Sequence, residues 1–286
     1  MLIRLLLVAC LAIPTWGIAQ TRDTTELTRL DTDNPEAFAF FDAIGLYDVL
    51  AILAEESIVG ADLIRDEFFP NLSPDIWRME LETLFAPTVL VAQFEAGWDD
   101  DAVGPEARAI LMEVFTSDLG RRIVEAELIA RQAMTDPEIA EAAQGAYALA
   151  LADGDPRLPA LSEFLDENGF LARNVTSAMN GQVSFLTGLS DAGGLRPPMA
   201  EVDILRFVAA QEDAIRSDAE AWLRAFHLMA YGSFTAEEFE TFRAYNQTPE
   251  FQAMTASVFA AFDPMFEELQ YQLGQITARY SAGDDI

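Results

Sequence analysis

Glu127 and Arg131 lie four residues apart in the run "DLGRRIVEAELIARQAM", and Glu212 and Arg216 repeat that spacing in "QEDAIRSDAEAWLRAFHLMAY". Residues at i and i+4 share one face of a helix, so each pair can close an ion pair. Asn174 and Asn180 flank "VTSAM", and Gln211 interrupts an otherwise apolar stripe. Polar groups set into apolar helices need hydrogen-bond partners. The expected arrangement is a structural network between helices, with a binding pocket as the alternative.

His227 is the single histidine, and the apolar pattern of "LRAFHLMAY" makes it a packed helix residue rather than a catalytic base. One histidine and one cysteine, Cys10, cannot assemble a zinc site. There is no phosphate-binding loop, dinucleotide-binding glycine turn or nucleophile elbow. The stretches "WDDDAVG" (Trp98–Gly104) and "DGDP" (153–156) offer carboxylates for calcium. Neither has the alternating ligands and closing Glu of an EF-hand, and "DTDNPEAFAFFD" has Glu36 where such a loop needs glycine. They read as solvated acidic turns, and no metal or cofactor is expected. Two carboxylates could serve a hydrolase, but 48 acidic residues single out no pair.

Those acids face 17 basic residues, all Arg, for a formal net charge of −31. Such a surface repels phosphate backbones and anionic headgroups, which argues against nucleic acid as a partner. A hydrophobic content of 51% places the chain among globular proteins rather than disordered ones. The N-terminus, "MLIRLLLVACLAIPTWGIAQ", has one Arg, an apolar run from Leu5 to Ile13 and small residues at Gly17 and Ala19. This is the layout of a secretory signal peptide over residues 1–19, cleaved after Ala19. Leu7–Cys10 also fits a lipoprotein box, but most of the apolar run lies beyond Cys10. Cleavage removes the only cysteine, so the mature chain forms no disulfide. No later segment is long and apolar enough to span a bilayer, and the mature protein is expected to be soluble.

Residues 20–35 form a polar lead-in, and from residue 36 the helical period dominates. The expected fold is all-α, a multi-helix bundle of helical hairpins with two related halves. In "FFDAIGLYDVLAILAEESI", Ile44, Tyr47, Leu50, Ala51 and Ala54 make one helical stripe. Ser73 and Pro74 start a helix that Pro87 should break. Turn chemistry at "GWDDDAVGP", "TDPE", "ADGDPRLP", "SDAGGLRPP" and "YGS" marks further boundaries. The Gly/Pro connection at 191–198 separates an N-terminal half, 36–190, from a C-terminal half, 199–286, or shapes a loop within one domain. A single helix is expected from Met199 to about Tyr231, burying Ile204, Phe207, Val208, Gln211, Ile215, Ala219, Trp222 and Phe226.

"YNQTPEF" (Tyr245–Phe251) is a corner between helices, with Thr248 as cap and Pro249 in the first helical position. The helix before it opens with a capping box, Thr235 to Glu238. A similar hairpin starts at Pro105 and turns at Ser117–Asp118, 131 residues ahead of Thr248–Pro249. The apolar template Leu119, Ile123, Ala126, Ala130 parallels Met254, Val258, Ala261, Met265.

Most of the mature chain resembles the bacterial secreted proteins grouped as domain of unknown function 2059 (DUF2059). The likeness rests on "LYDVLAILAEESIVGADLIRDEFFP", "DLGRRIVEAELIARQAM", "RNVTSAMN", "QEDAIRSDAEAWLRAFHLMAY" and "FTAEEFETFRAYNQTPEFQAM". Phe251 stands where the family pattern has Gly, whereas Gly120 keeps it in the earlier hairpin. The resemblance implies an all-α periplasmic protein and no particular reaction. It directs attention to Glu127, Arg131, Asn174, Asn180, Glu212, Arg216 and Trp222. The favoured expectation is a binding or interaction module of the bacterial envelope, taking an apolar ligand or an envelope protein. The alternatives are a carboxylate-dependent hydrolase and a structural oligomeric component.

Overall fold

A computed structural model describes residues 35–281, with the side chain of Glu67 omitted. The predicted signal peptide, the lipoprotein alternative at Cys10 and nearly all of the polar lead-in lie outside the described residues. Every regular element within them is a helix: α1 (Pro35–Ala43), α2 (Leu46–Phe68), α3 (Pro74–Leu84), α4 (Pro87–Gly97), α5 (Pro105–Phe115), α6 (Asp118–Met134), α7 (Pro137–Asp153), α8 (Leu158–Asn168), α9 (Phe170–Asp191), α10 (Glu201–Ala209), α11 (Glu212–Tyr231), α12 (Ala236–Asn246) and α13 (Pro249–Ser281).

Proline does much of the punctuation. It opens α3, α4, α5, α7 and α13, where a missing N–H removes nothing the helix would have used. Ser73, expected as N-cap, holds the N-cap position before Pro74 but its side chain makes no capping hydrogen bond; the run breaks before Pro87 as expected. The capping box at Thr235 forms in full: Glu238 N–H donates to the Thr235 hydroxyl at 3.2 Å, and Thr235 N–H donates to the Glu238 carboxylate at 2.9 Å.

Two helices expected to be continuous are interrupted. Gly45 adopts φ 65°, a left-handed conformation that favours glycine, and divides α1 from α2 with a bend of 65°. The stripe from Ile44 therefore crosses a corner, and Ala51 is only half-buried. By length and composition this bent pair could pass for a broken membrane span, but Phe40, Phe41, Val49, Leu50 and Leu53 are buried inside the fold. No single described helix is long and apolar enough to cross a membrane.

The predicted Met199–Tyr231 helix also splits, at Ala210–Gln211. There Gln211 N–H donates to Val208 O at 2.9 Å, one residue short of the α-helical partner. That leaves Phe207 O without its usual donor, and the Gln211 side chain supplies one at 3.1 Å. No Gly or Pro signals this break. It arises because α10 packs mainly on α9, whereas α11 must lie against α6, α7, α8 and α9. Phe207, expected inside, stays 37% exposed. Trp222 is half-buried, and the other expected positions are buried.

The spine is the parallel pair α9–α13, which pack along their lengths, with Arg173 over Phe259 near one end and Asn180 bonded to Glu267 further along. Glycines let the backbones touch: a methyl at Gly188 would lie 2.0 Å from Tyr271 O, and one at Gly274 would lie 2.2 Å from Phe185 O. The main apolar core runs without a gap from Ala37 to Ala278, on both sides of the 191–198 connection. That connection is itself pinned, since Met199 N–H donates to Ser190 Oγ at 3.2 Å.

Candidate functional site

The buried charge of the protein is concentrated where α6 meets α2 and α11. On α6, Glu127 and Arg131 have 0% and 1% exposure, a rare condition for ionisable side chains. Arg131 Nη2 donates to Glu56 Oε2 of α2 at 2.5 Å, closing an ion pair with a side chain that keeps 15% exposure. The Tyr231 hydroxyl of α11 donates to Glu127 Oε1. The Trp222 ring lies 5.8 Å from the Arg131 guanidinium carbon, in range for a cation–π contact. Burial raises the Glu56 carboxyl above its ordinary range, partly opposed by the charge of Arg131 and its hydrogen bond.

His227 stands beside this cluster in an aromatic cage. Its ring stacks on Phe170 at 5.9 Å and touches Phe164, Phe226 and Tyr231. Burial lowers its pKa to about 4, against the opposing effect of the Leu223 carbonyl. The imidazole is therefore neutral at pH 7, with Nδ1 carrying the proton to Leu223 O at 2.6 Å. A neutral, enclosed ring suits packing, in line with the sequence reading.

The seven expected site residues do not converge as a set. Glu127, Arg131 and Trp222 come together. Asn174 is buried on α9 and donates to Phe170 O, one turn back, at 2.8 Å. Asn180 is exposed and donates to Glu267 of α13 at 3.0 Å. Glu212 and Arg216 form the expected i,i+4 pair at 2.8 Å, on an open surface where such pairs contribute little. The i,i+4 spacing gave an ion pair at Glu212–Arg216, whereas Arg131 reaches instead to Glu56 of α2, and spacing could not tell a buried face from a solvated one.

Glu56 and Tyr231 were missed because they reach the cluster from 75 and 104 residues away. A second network was also missed, at the "YNQTPEF" corner. Gln252 Nε2 donates to Asn246 O at 2.6 Å and to Asn168 Oδ1 at 3.1 Å, tying the end of α8 into the α12–α13 turn. Arg243 adds bonds to both Glu167 oxygens at 2.8 and 2.6 Å.

Both acidic turns are organised by arginine. In "WDDDAVG", Arg108 reaches Asp100 Oδ1 and Asp100 O, each at 3.0 Å, and Val103 O at 2.8 Å. In "DGDP", Arg157 bonds Asp155 Oδ2 at 2.6 Å and holds that carboxyl down at about 2. Among the described residues no group of three His, Cys, Asp or Glu could hold a metal ion.

Two further surfaces could receive a partner. An open cleft of about 750 Å³ between α3, α4 and α13 has a mixed lining that includes Glu80, Gln93, Glu268, Gln272 and Arg279, with Arg279 paired to Glu80 at 3.0 Å. The other is α7. It turns inward along Ala140, Ala143, Tyr147 and Ala150, and of its 17 residues only Ala143 is fully buried. Leu149 and Leu151 remain 68% and 59% exposed. From Ala142 to Ala152 the helix carries no charge.

Comparison with models of known families, with curated proteins and with solved structures returned no match.

Proposed function

We propose that the protein is an exported, periplasmic helical module of the bacterial envelope that works by docking a partner protein. The observation that carries this reading is the outward side of α7. A chain with a net charge of −31 carries an uncharged run of eleven residues on one helix, eight of which, two leucines among them, face water. Exposed apolar surface of this kind is characteristic of interaction sites. Export rests on the predicted signal peptide at residues 1–19 and on the resemblance to the secreted DUF2059 proteins. The hydrolase alternative has less support, because Glu127 has no exposure through which a substrate could reach it.

The test is a photo-crosslinking residue at position 149 in the full-length chain, expressed in a bacterial host. A discrete crosslinked protein in the periplasmic fraction that disappears when Leu151→Asp is added supports docking. Absence of any crosslink from 149, with the chain folded and exported, overturns it. An N-terminus beginning at Gln20 in the exported protein verifies the cleavage.

A further inference from the structure

The cleft between α3, α4 and α13 lies apart from both the α7 surface and the charges around Arg131. Its volume of about 750 Å³ is within the range of small-ligand sites. On α13, Glu268, Gln272, Gln275 and Arg279 line it at steps of four, three and four residues, which keeps them along one face of the helix. At a rise of 1.5 Å per residue, the row from Glu268 to Arg279 is about 16 Å long. Leu84, Val89 and Ile276 supply apolar surface beside it.

The row changes character along its length. At one end Arg279 is engaged, with Nη2 donating to Glu80 Oε2 at 3.0 Å, and the Tyr280 hydroxyl donates to Glu80 Oε1 at 3.2 Å. Both oxygens of Glu80 are thereby taken by neighbours. At the other end Glu268 is exposed and, among the described residues, forms no ion pair; Gln272 Nε2 donates to its Oε1 at 2.6 Å without neutralising it. From the opposite wall, Gln93 of α4 lines the same cleft, with its Oε1 closed off from water and without a donor. An acceptor left in that condition is costly, and a donor within the cleft relieves the cost once the Gln93 amide rotates towards it.

These groups select a ligand chemistry. A glutamine side chain carries both donor and acceptor, and so matches a peptide group, which offers one N–H and one C=O per residue. An extended chain advances about 3.3 Å per residue, so 16 Å takes about five residues. Glu80, Glu268 and Arg279 together leave one negative charge, and it is Glu268 that has no cation beside it. Among the described residues lining the cleft there is no aromatic ring on which a base could stack. A chain of net charge −31 repels anionic ligands in general.

We propose that this cleft binds a short extended stretch of peptide bearing a basic group, with the cation at Glu268 and the peptide amides along Gln272, Gln275 and Gln93. The Glu80–Arg279 pair closes the far end. This inference is independent of the docking role of α7, and neither needs the other.

Calorimetric titration of the full exported protein with the peptide Ala-Lys-Ala-Lys-Ala, acetylated and amidated at its ends, tests it. One peptide binds per chain. Glu268→Gln in the protein, or glutamine for both lysines in the peptide, weakens binding by about tenfold. Glu106→Gln, which removes the same charge from the exposed surface of α5, leaves the affinity unchanged. Gln272→Ala with Gln275→Ala weakens the lysine and glutamine peptides alike. Absence of binding up to about 1 mM peptide overturns the proposal. So does an equal loss in Glu106→Gln and Glu268→Gln, which is the mark of attraction to the acidic surface as a whole. A glutamine peptide that binds as tightly as the lysine peptide removes the basic group from the assignment and overturns it too. Displacement of the peptide by maltotetraose assigns the cleft to hydroxyl-rich ligands instead.

Discussion

Hairpin α5–α6 passes from an 11-residue helix into a longer one at Thr116–Ser117, and α12–α13 makes the same turn at Gln247–Thr248 after another 11-residue helix. The helix starts correspond at a constant offset of 131 residues, Pro105 with Ala236 and Asp118 with Pro249. So do the buried faces: Ile123, Leu128, Ala130 and Met134 map onto Met254, Phe259, Ala261 and Met265, all buried. The apolar template drawn from sequence was one helical turn out of this register. Its error is instructive, because a shift of four residues keeps a helix face nearly in place. Periodicity identifies the face, and only the helix ends fix the register.

Where the two copies differ, they differ in chemistry. Glu127 and Arg131 stand opposite Val258 and Phe262, and Gly120 stands opposite Phe251. A methyl at Gly120 would lie 2.1 Å from Val114 O, so this corner closes tightly and Ser117 Oγ accepts from Gly120 N at 3.0 Å. At the other corner Thr248 Oγ1 accepts from Phe251 N at 3.4 Å, and the Phe251 ring fills the space against Phe115 at 5.2 Å. One scaffold tolerates a charged interior or an aromatic one. The charge is therefore a local addition to the hairpin and no requirement of it.

The largest effect should come from making the first hairpin resemble the second. Arg131→Phe leaves the Glu56 carboxylate without the guanidinium it pairs with and should lower unfolding free energy by about 3–5 kcal/mol in urea titrations. Adding Glu56→Leu to Arg131→Phe should recover most of that loss, and a double loss equal to the sum of the singles would break the comparison. Next is pH. His227 has a folded pKa of about 4, below its unfolded value near 6.5, so its contribution is complete above pH 6.5 and is lost as pH falls towards 4. The loss should approach roughly 3 kcal/mol and be absent in His227→Leu.

Gly120→Ala should cost about 2 kcal/mol through overpacking against Val114 O, while changes at Phe251 act through lost ring contacts. Matching thermal shifts for Gly120→Ala and Phe251→Ala variants of equal expression would show that the corners are closed by the same means, against the difference drawn here. The smallest effect belongs to the caps. Ser117→Ala should lower stability by about 1 kcal/mol, and Thr248→Ala by less, in keeping with its longer bond.

Much of the architecture was legible in the sequence because its causes are local. Proline at first helical positions, the capping box at Thr235 and the cap at Thr248 act within four residues and formed as read, and Ser117 at the matching turn caps its helix in the same way. The all-α class follows from the apolar period and the scarcity of alternation. The break at Gln211 was illegible because competing packing directions, and no residue type, decide it. The site was half legible. Glu127 and Arg131 announced themselves by spacing, but Glu212 and Arg216 announced themselves equally and lie in solvent.

The amino-acid sequence by itself determined where helices begin, which faces are apolar, the overall acidity and the existence of two matching corners, since each depends on neighbours a few bonds or one turn away. The tertiary structure alone decided which charges are buried, that Arg131 meets Glu56 and Glu127 meets Tyr231, and that α7 keeps its leucines in water. Burial is a property of what packs on a residue from elsewhere in the chain, and no local spacing carries that information.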